Sequence, residues 1–487
     1  MFYLFARVQL SIINYQLSII KHRTFLFVCS LLIVHSLFSQ SPDFINWKKD
    51  AACCHWVDSV YNQLTPDERI GQFFMLPAYT EGRTYNMDSI LSLMQQGKAG
   101  GVIFFKGMPE AEAVWTNKIQ DSVKVQSFIA IDGEWGLSMR LDSTIAFPHQ
   151  MTLGAIADNQ LIYEMGKEIG RECKRIGINI NFAPDVDVNN NPNNPVINDR
   201  SFGEDKYKVA LKGLEYADGL QDEGVLACAK HFPGHGDVNT DSHLDLPIIN
   251  KPAVTFDTLE FYPFKILFNN KVGGTMVAHL NVPALDTAAG SVSSISHRIA
   301  TDWLRDSLGF NGLTFSDALN MKGVSKYYKP GTVDSMAFMA GCDILVFSED
   351  ASKGIAKIKM AVDSGVIPMS ELEARVKKVL AYKYNLGLNK PQQVNLINLR
   401  EDLNNTNALL LQQKLYEQAM TIAANQNDLL PFKNWNYKKV ASLSIGNNSI
   451  STFQNNISNF EEIDFFNQSE EHNDKLFAAI LDTLATY

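Results

Sequence analysis

Eight short apolar runs, most of them separated by segments long enough for a helix, constrain the fold of this chain most strongly. The runs are continuous rather than alternating, which is typical of parallel strands that are buried on both faces. They cover residues 72–76, 101–105, 127–131, 178–188, 225–229, 275–279, 313–316 and 343–347. About eight alternations of strand and helix predict an α/β fold, either a (β/α)8 barrel or a doubly wound sheet.

Polar groups follow five successive runs, and this placement favours the barrel over the doubly wound sheet. In a (β/α)8 barrel the chemistry lies where strands end and loops begin. A single polar ending would carry little weight, because Asp and Asn are common in turns. The groups that follow the third to seventh runs are Asp132, Glu134, Arg140, Asp185, Asp187, Arg200, Lys230, His231, His279, Asn281 and Asp317. We therefore expect a site on one face of a barrel that spans residues 44–388.

The loop within residues 230–243 holds three histidines and two aspartates, and three interpretations of it compete. Metal binding ranks last, because Pro233, Gly234 and Gly236 exclude a helical His-x-x-x-His zinc pattern. A polar loop whose side chains cap backbone groups is the second interpretation. The third is acid/base chemistry by Asp241 and His243, which can face the same side of an extended loop. A carboxylate beside an imidazole fixes its tautomer and supports proton donation near neutral pH.

Length, charge and cysteine content limit the possible classes of protein. At 487 residues the chain is too long for one ordinary core, so we expect two domains. A formal net charge of −10 argues against nucleic acid as a partner. The six cysteines show no spacing that indicates a disulfide framework.

The two ends of the chain predict segments outside the barrel. A basic stretch at 21–23 and an apolar stretch at 24–38 predict a signal peptide with an N-terminal extension over residues 1–40. We expect cleavage, export across the inner membrane to the periplasm and no stable membrane span afterwards; an uncleaved membrane anchor is the alternative. Polar residues 389–407 predict a linker, and residues 408–487 predict an incomplete αβ second domain.

Three motifs in combination resemble those of the bacterial β-N-acetylglucosaminidases of glycoside hydrolase family 3. They are Lys-His-Phe-Pro-Gly-His-Gly…Asp-Ser-His at 230–243, Asp-Arg-Ser-Phe-Gly at 199–203 and Ser-Asp-Ala-Leu-Asn-Met at 316–321. The resemblance covers roughly residues 58–432. It implies a TIM-like (β/α)8 barrel that is followed by a second domain, which would be short here.

The resemblance also implies roles for individual residues. Asp317 matches the catalytic nucleophile, and Asp241 with His243 matches an acid/base dyad. The residues that match those holding the N-acetylglucosamine unit are Asp132, Arg140, Arg200, Lys230 and His231. The implied activity is that of a retaining exo-β-N-acetylglucosaminidase, which releases terminal β-linked N-acetylglucosamine from glycans such as peptidoglycan fragments through a covalent glycosyl–Asp317 intermediate. No cofactor or metal is implied, and the partner is a glycan substrate.

One departure from the family pattern and three alternatives remain. Trp135 stands where the family pattern Asp-x-Glu-Gly-Gly has the first of its two glycines, so we expect added bulk near the sugar subsite. A histidine donor does not repel an anionic acceptor, so a phosphorylase is one alternative. A β-glucosidase-type member of the family is another, although such enzymes take a glutamate donor from the second domain. A non-catalytic sugar-binding barrel is the third, and the presence of Asp317, Asp241 and His243 counts against it.

Overall fold

The structure, a computed structural model, describes residues 44–82, 86–425, 431, 439–446, 449–460, 462–469 and 474–485. The predicted signal peptide therefore lies outside the described residues. Within the described ranges, no helix has both the length and the apolar character that a membrane crossing requires. The chain forms two compact units, one that ends at Met420 and one that begins at Thr421.

Eight parallel strands form the centre of the first unit, in the order β7-β6-β5-β4-β3-β2-β1-β8. A bridge between Phe315 and Ile344 joins the two end strands and closes the ring. The strands are β1 (Phe74–Tyr79), β2 (Gly101–Lys106), β3 (Phe128–Ile131), β4 (Ile180–Asn181), β5 (Leu226–Phe232), β6 (Gly274–Val277), β7 (Leu313–Ser316) and β8 (Leu345–Val346). The (β/α)8 barrel is confirmed, and the doubly wound alternative is excluded.

Two strands differ in extent from the apolar runs that predict them in a way that bears on the site. β4 is much shorter than the run 178–188, because Pro184 has no N–H with which to continue the ladder. β5 is longer than its run and includes Lys230 and His231. These two side chains therefore start from a rigid strand rather than from the loop that follows it.

Helices connect the strands and cover the outside of the barrel. Helix Gln160–Arg175 shows the pattern that drives this packing, since it buries Leu161, Met165, Ile169 and Cys173 at a spacing of four residues. The other α-helices up to β8 are Ala51–Gln63, Pro66–Gly71, Met87–Gln95, Pro109–Ser122, Gln150–Gly154, Lys206–Asp222, Ala253–Thr255, Phe261–Asn269, Lys322–Ser325 and Thr332–Ala340. Ala351–Asp363 and Met369–Asn385 follow β8, and Phe256–Glu260 and Arg298–Ser307 are π-helical. Short 3-10 turns lie at Trp47–Lys49, Leu137–Met139, Asn198–Arg200 and Ser293–Ile295.

The segment predicted as a linker, and the helix predicted to open the second domain, both pack on the barrel. Helices Leu399–Leu403 and Thr406–Ala419 belong to the first unit. Ala408 and Leu415 are fully buried, and the side-chain amide of Gln412 donates to the carbonyl oxygen of Ala146 at 2.7 Å. The compact first unit thus extends beyond residue 388, because these apolar side chains are buried against the barrel.

The second unit contains a small parallel sheet, consistent with the αβ character expected of this region. Strands β9 (Val440–Ile445) and β10 (Ile463–Gln468) pair in parallel, and helix Thr452–Ile457 lies between them in the chain. The buried side-chain amide of Gln454 donates to the carbonyl oxygens of Ser442 and Phe466, which ties this helix to both strands. Helix Asp474–Leu484 follows β10.

Candidate active site

The carboxyl ends of the strands surround a cleft of about 470 Å³. Seven of the predicted site residues line this cleft: Asp132, Arg140, Arg200, Lys230, His231, His243 and Asp317. Asp241 joins them through a contact with His243. The barrel therefore brings all the predicted site residues together.

Asp317 follows β7 directly and lies in the wall of the cleft. Its backbone N–H donates to the carbonyl oxygen of Val277 at 2.9 Å, and its Oδ1 accepts from the backbone N–H of Ala318 at 2.7 Å. Burial raises the pKa of Asp317, but the imidazoles of His279 and His231 and the Ala318 N–H outweigh burial and hold this pKa below its usual value. The carboxylate is consequently ionised at neutral pH, as a nucleophile must be.

Asp241 and His243 form the expected contact, but the backbone between them has a different conformation from the one expected. Oδ1 of Asp241 lies 2.8 Å from the backbone nitrogen of His243 and 2.8 Å from its ring Nδ1. The segment is a turn and not the extended loop that we expected, since the N–H of Leu244 donates to the carbonyl oxygen of Asp241 at 2.9 Å. Because Nδ1 is occupied by the carboxylate, Nε2 is the ring atom available for proton transfer. The side chain of His243 is 59% exposed, so substrate can reach it.

The floor of the cleft is a network of buried charges. Lys230 Nζ lies 2.9 Å from Oδ1 of Asp132 and 2.8 Å from Oε1 of Glu134. Arg140 donates to Oδ2 of Asp132 at 2.7 Å. Burial raises the pKa of Asp132, but Lys230 and Arg140 together hold it well below its usual value. This floor offers the ammonium of Lys230, the guanidinium of Arg140 and the carboxylate of Asp132 to the hydroxyl groups of a ligand.

Glu134 is a buried residue beneath the cleft to which sequence reasoning assigned no role. It is fully buried, and Arg200 binds it at two points, at 2.7 Å and 2.9 Å. This two-point pair fixes the guanidinium of Arg200 at the edge of the cleft. The signal in the sequence was a second carboxylate two residues after Asp132, at the end of the same strand.

His231 is held by carboxylates beneath the cleft rather than packed as an apolar core residue. Its Nδ1 lies 2.8 Å from Oδ2 of Asp187, and its backbone N–H donates to the same oxygen at 3.2 Å. Asp185, Asp187 and His231 present atoms close enough together to hold a metal ion. However, Nδ1 is engaged with Asp187, and the guanidinium of Arg200 lies 3.8 Å from Oδ2 of Asp185. These contacts place Asp187 and His231 in a hydrogen-bonded pair beside Asp185 and Arg200.

Trp135 does not have the position that we expected. Its ring stacks on His149, with ring centroids 4.1 Å apart, and Nδ1 of His149 lies 2.7 Å from Asp199. Among the described residues that line the cleft, Trp135 is absent. The expected bulk beside the sugar subsite is therefore not found, because the indole is packed against a neighbouring loop.

His279 supports the loop that carries Asp317. Its Nε2 lies 3.0 Å from the carbonyl oxygen of Ala318 and its Nδ1 lies 2.6 Å from the hydroxyl of Ser294. A carbonyl oxygen only accepts, so Nε2 donates to Ala318 and Nδ1 accepts from Ser294. The sequence showed His279 only as one polar ending among several, without its contact to the nucleophile loop.

Comparisons with known proteins identify the family of this chain. Residues 65–382 match the glycosyl hydrolase family 3 N-terminal domain. The chain is 27% identical over 401 residues to a beta-N-acetylglucosaminidase/beta-glucosidase of Cellulomonas fimi. This alignment covers 80% of this chain and 70% of that protein. The chain is 37% identical over 267 residues to beta-hexosaminidase A of Pseudoalteromonas piscicida, with 50% of this chain and 45% of that protein covered.

A solved structure of similar fold comes from the same family. The glycoside hydrolase family 3 beta-N-acetylglucosaminidase of Paenibacillus sp. str. FPU-7 superposes with a TM-score of 0.75 at 28% identity. The superposition covers 87% of this chain and 83% of that one. The family match spans well over half of the chain, so this protein belongs to glycosyl hydrolase family 3 and is a glycoside hydrolase.

Proposed function

We propose that the protein is a retaining exo-β-N-acetylglucosaminidase, with Asp317 as nucleophile and His243 as acid/base. The observation that carries this proposal is the shared cleft of Asp317 and His243, in which one group is an ionised carboxylate and the other is an imidazole held by Asp241. A retaining glycosidase needs this combination of a carboxylate and a proton donor at one glycosidic bond.

The reaction has two steps in this arrangement. In the first, a carboxylate oxygen of Asp317 bonds to the anomeric carbon while the bond to the leaving oxygen breaks, and Nε2–H of His243 gives its proton to that oxygen. In the second, Nε2 removes a proton from water, the water oxygen bonds to the anomeric carbon, and the ester to Asp317 breaks. Asp241 keeps Nδ1 of His243 occupied throughout, which directs both proton transfers to Nε2.

The charged floor supports cleavage of a terminal sugar. Asp132 and Lys230 lie deep in the cleft, and Lys230 is only 2% exposed. Hydroxyl groups at the non-reducing end of a sugar can replace water on these groups, whereas a continuing glycan chain would have to displace the buried network. The terminal unit therefore occupies the floor, and the scissile bond lies above it.

The substrate class and the location follow from separate observations. Relatives of this chain are named as enzymes of N-acetylglucosamine and hexosamine glycosides, which supports β-linked N-acetylglucosamine as the terminal sugar. The basic and apolar stretches at 21–38 support export to the periplasm. We propose that the substrates in the periplasm are fragments of peptidoglycan that end in this sugar.

One assay tests the proposal. Purified protein is given aryl β-N-acetylglucosaminide or aryl β-glucoside, beside the variants Asp317→Asn and His243→Ala. We expect preference for the N-acetylglucosaminide and loss of nearly all turnover in Asp317→Asn. His297→Ala is the matched control, since His297 also pairs with an aspartate, Asp302, at 3.1 Å but is an exposed side chain at the start of helix Arg298–Ser307.

The assay also separates the alternatives. Preference for the glucoside would contradict the proposed sugar, and wild-type turnover by Asp317→Asn would contradict the proposed nucleophile. If the enzyme forms a sugar 1-phosphate in place of the free sugar when inorganic phosphate is added, it is a phosphorylase and not a hydrolase.

A further inference from the structure

The loop that carries the acid/base dyad is joined to the segment that follows the nucleophile. The backbone N–H of Gly323 donates to the carbonyl oxygen of Ser242 at 3.1 Å. Further along the loop, Oδ2 of Asp245 accepts from Nζ of Lys326 at 3.1 Å, and its Oδ1 accepts from the hydroxyl of Tyr327 at 2.9 Å. We call these three contacts the loop clasp, because they link the loop after β5 to the segment after β7.

Ser242 has a second contact, on the side of its own loop. The residue is 1% exposed, and its Oγ lies 3.1 Å from Nε2 of His235, which is equally buried. Burial and the neighbouring His231 lower the pKa of His235 to about 4, so its ring is neutral at neutral pH and both donates and accepts. The backbone N–H of His235 donates to Oδ1 of Asp187 at 2.7 Å. Ser242 is therefore held both by the start of its own loop and by the segment after β7.

The two residues of the loop that take part in the clasp lie on either side of His243 in the chain. Ser242 directly precedes His243, and Asp245 follows two residues later. The turn between them has hydrogen bonds of its own, since the carbonyl oxygen of Asp241 accepts from the N–H groups of Leu244 and Asp245 at 2.9 Å and 3.1 Å. The side chain of His243 is 59% exposed. The position of its ring therefore depends on how the backbone is held more than on packing around the ring.

The segment that completes the clasp also packs against the support of the nucleophile. A Cβ at Gly323 would lie 3.1 Å from the carbonyl oxygen of Ser242 and 3.3 Å from the Cβ of His279. His279 in turn donates to the carbonyl oxygen of Ala318, the residue after Asp317. The absence of a side chain at Gly323 thus allows this close approach. The acid/base loop and the nucleophile loop are connected here through a few contacts.

We propose that Ser242 and Asp245 are positioning residues for the acid/base, and that the loop clasp sets where Nε2 of His243 lies relative to Asp317. This inference rests on the proposed glycosidase function and names the contacts that hold its proton donor. In this role each residue acts through His243 and not by contact with the substrate. A displacement of about 1 Å can cost about 100-fold in rate. Loss of the clasp therefore slows protonation of the leaving oxygen, whereas attack by Asp317 on a substrate with a good leaving group is little affected.

Two substrates with different leaving groups test the clasp. N,N′-diacetylchitobiose has a sugar leaving group that needs a proton, whereas the leaving group of dinitrophenyl β-N-acetylglucosaminide needs almost none. In Ser242→Ala and Asp245→Ala, we expect kcat/KM for the disaccharide to fall about tenfold more than kcat/KM for the dinitrophenyl glycoside. Tyr327→Phe removes only the hydroxyl, so we expect a smaller loss that is again larger on the disaccharide.

Two further variants complete the series. Asp245→Asn keeps an acceptor for the hydroxyl of Tyr327, so its loss on the disaccharide should lie between those of Asp245→Ala and the wild type. Asp257→Ala is the matched control, since Asp257 also pairs with a lysine, Lys265, at 2.6 Å but does not line the cleft. We expect wild-type kcat/KM on both substrates for this control.

The ratio between the two substrates separates positioning from folding. A variant that only folds less well loses the same factor on both substrates, because both report the amount of active enzyme. Equal losses on the two substrates, or no loss on either, would therefore overturn the proposal. Ser242 is buried, so its substitution can affect folding, whereas Asp245 and Tyr327 lie at the surface and their variants keep the test decisive. If the wild-type protein hydrolyses neither substrate, the proposed function fails rather than the role of the clasp.

Discussion

Arg200 and Glu134 form a two-point ion pair beneath the cleft, with nitrogen–oxygen distances of 2.7 Å and 2.9 Å. Oε1 of Glu134 also lies 2.8 Å from Nζ of Lys230, so this buried carboxylate contacts two cations. Removal of one partner from a buried ion pair costs about 3–5 kcal/mol, because the other charge is left uncompensated. We expect Glu134→Ala to lower the free energy of unfolding by this amount, measured by urea denaturation.

The control for this prediction is an exposed pair of similar length. Glu373 lies 2.7 Å from Lys377, with both side chains partly in solvent. Surface pairs contribute about 0–1 kcal/mol. Glu373→Ala should therefore change the free energy of unfolding by less than about 1 kcal/mol. Equal costs for the two variants would mean that the Glu134 network does not stabilise the floor of the cleft.

Asp241→Asn tests proton donation by His243. Asparagine can still accept from the ring but carries no charge to stabilise the imidazolium during turnover. General acid catalysis contributes about 100- to 10,000-fold, and a good leaving group needs less of it. We expect kcat/KM for N,N′-diacetylchitobiose to fall within this range and kcat/KM for a dinitrophenyl glycoside to fall far less. Equal losses on both substrates would assign Asp241 a role in folding only.

His279→Phe tests whether the nucleophile loop depends on the hydrogen bond to Ala318. Phenylalanine has a similar volume but neither donates to Ala318 nor accepts from Ser294. Small displacements of reacting groups can cost about 100-fold, so we expect kcat to fall about 10- to 100-fold while KM changes little. Ser294→Ala retains the donor at Nε2 and should lose less. A change confined to KM would contradict a positioning role for His279.

The barrel was predictable because its strands are buried on both faces and stand out as continuous apolar runs. The site was predictable in part for a related reason: groups such as Asp132 and Asp317 follow those runs directly and must meet at one face. From composition alone, helix Thr406–Ala419 was assigned to the second domain, whereas in the structure it belongs to the first unit. A polar segment can still bury two or three apolar residues, and only the folded chain shows where they pack.

Contacts between distant residues account for the rest of what the sequence left open. The link from His279 to Ala318 spans 39 residues, and the link from Arg200 to Glu134 spans 66. Neither spacing has a periodicity that could be seen along the chain. The turn at Asp241 is local, but its form depends on side-chain bonds to the backbone, which compete with an extended conformation.

Glu260 lies beneath the loop that carries the dyad and makes stability depend on pH. It is 2% exposed, and its Oε1 accepts from Asn190 at 3.2 Å and lies 3.4 Å from Nζ of Lys251. A Cβ at Gly234, in the dyad loop, would lie 2.7 Å from the Cβ of Glu260, so loop and carboxyl are closely packed. Burial raises the pKa of Glu260 to about 7, and Lys251 offsets only part of this effect.

The sign of the pH dependence follows from this raised pKa. The folded protein holds the proton more tightly than the unfolded chain, whose glutamate has a pKa of about 4.3. Stability that the protonated form provides is therefore complete below about pH 4 and is lost as pH rises through about 7. Glu260→Gln keeps the shape and cannot ionise. Between pH 5 and pH 8, we expect the free energy of unfolding of the wild type to decline relative to Glu260→Gln by about 1–3 kcal/mol, measured by urea denaturation at each pH. Parallel pH profiles for the two proteins would show that Glu260 stays ionised or stays protonated over this whole range, and Glu371→Gln, on an exposed helix surface, provides the control for a simple loss of charge.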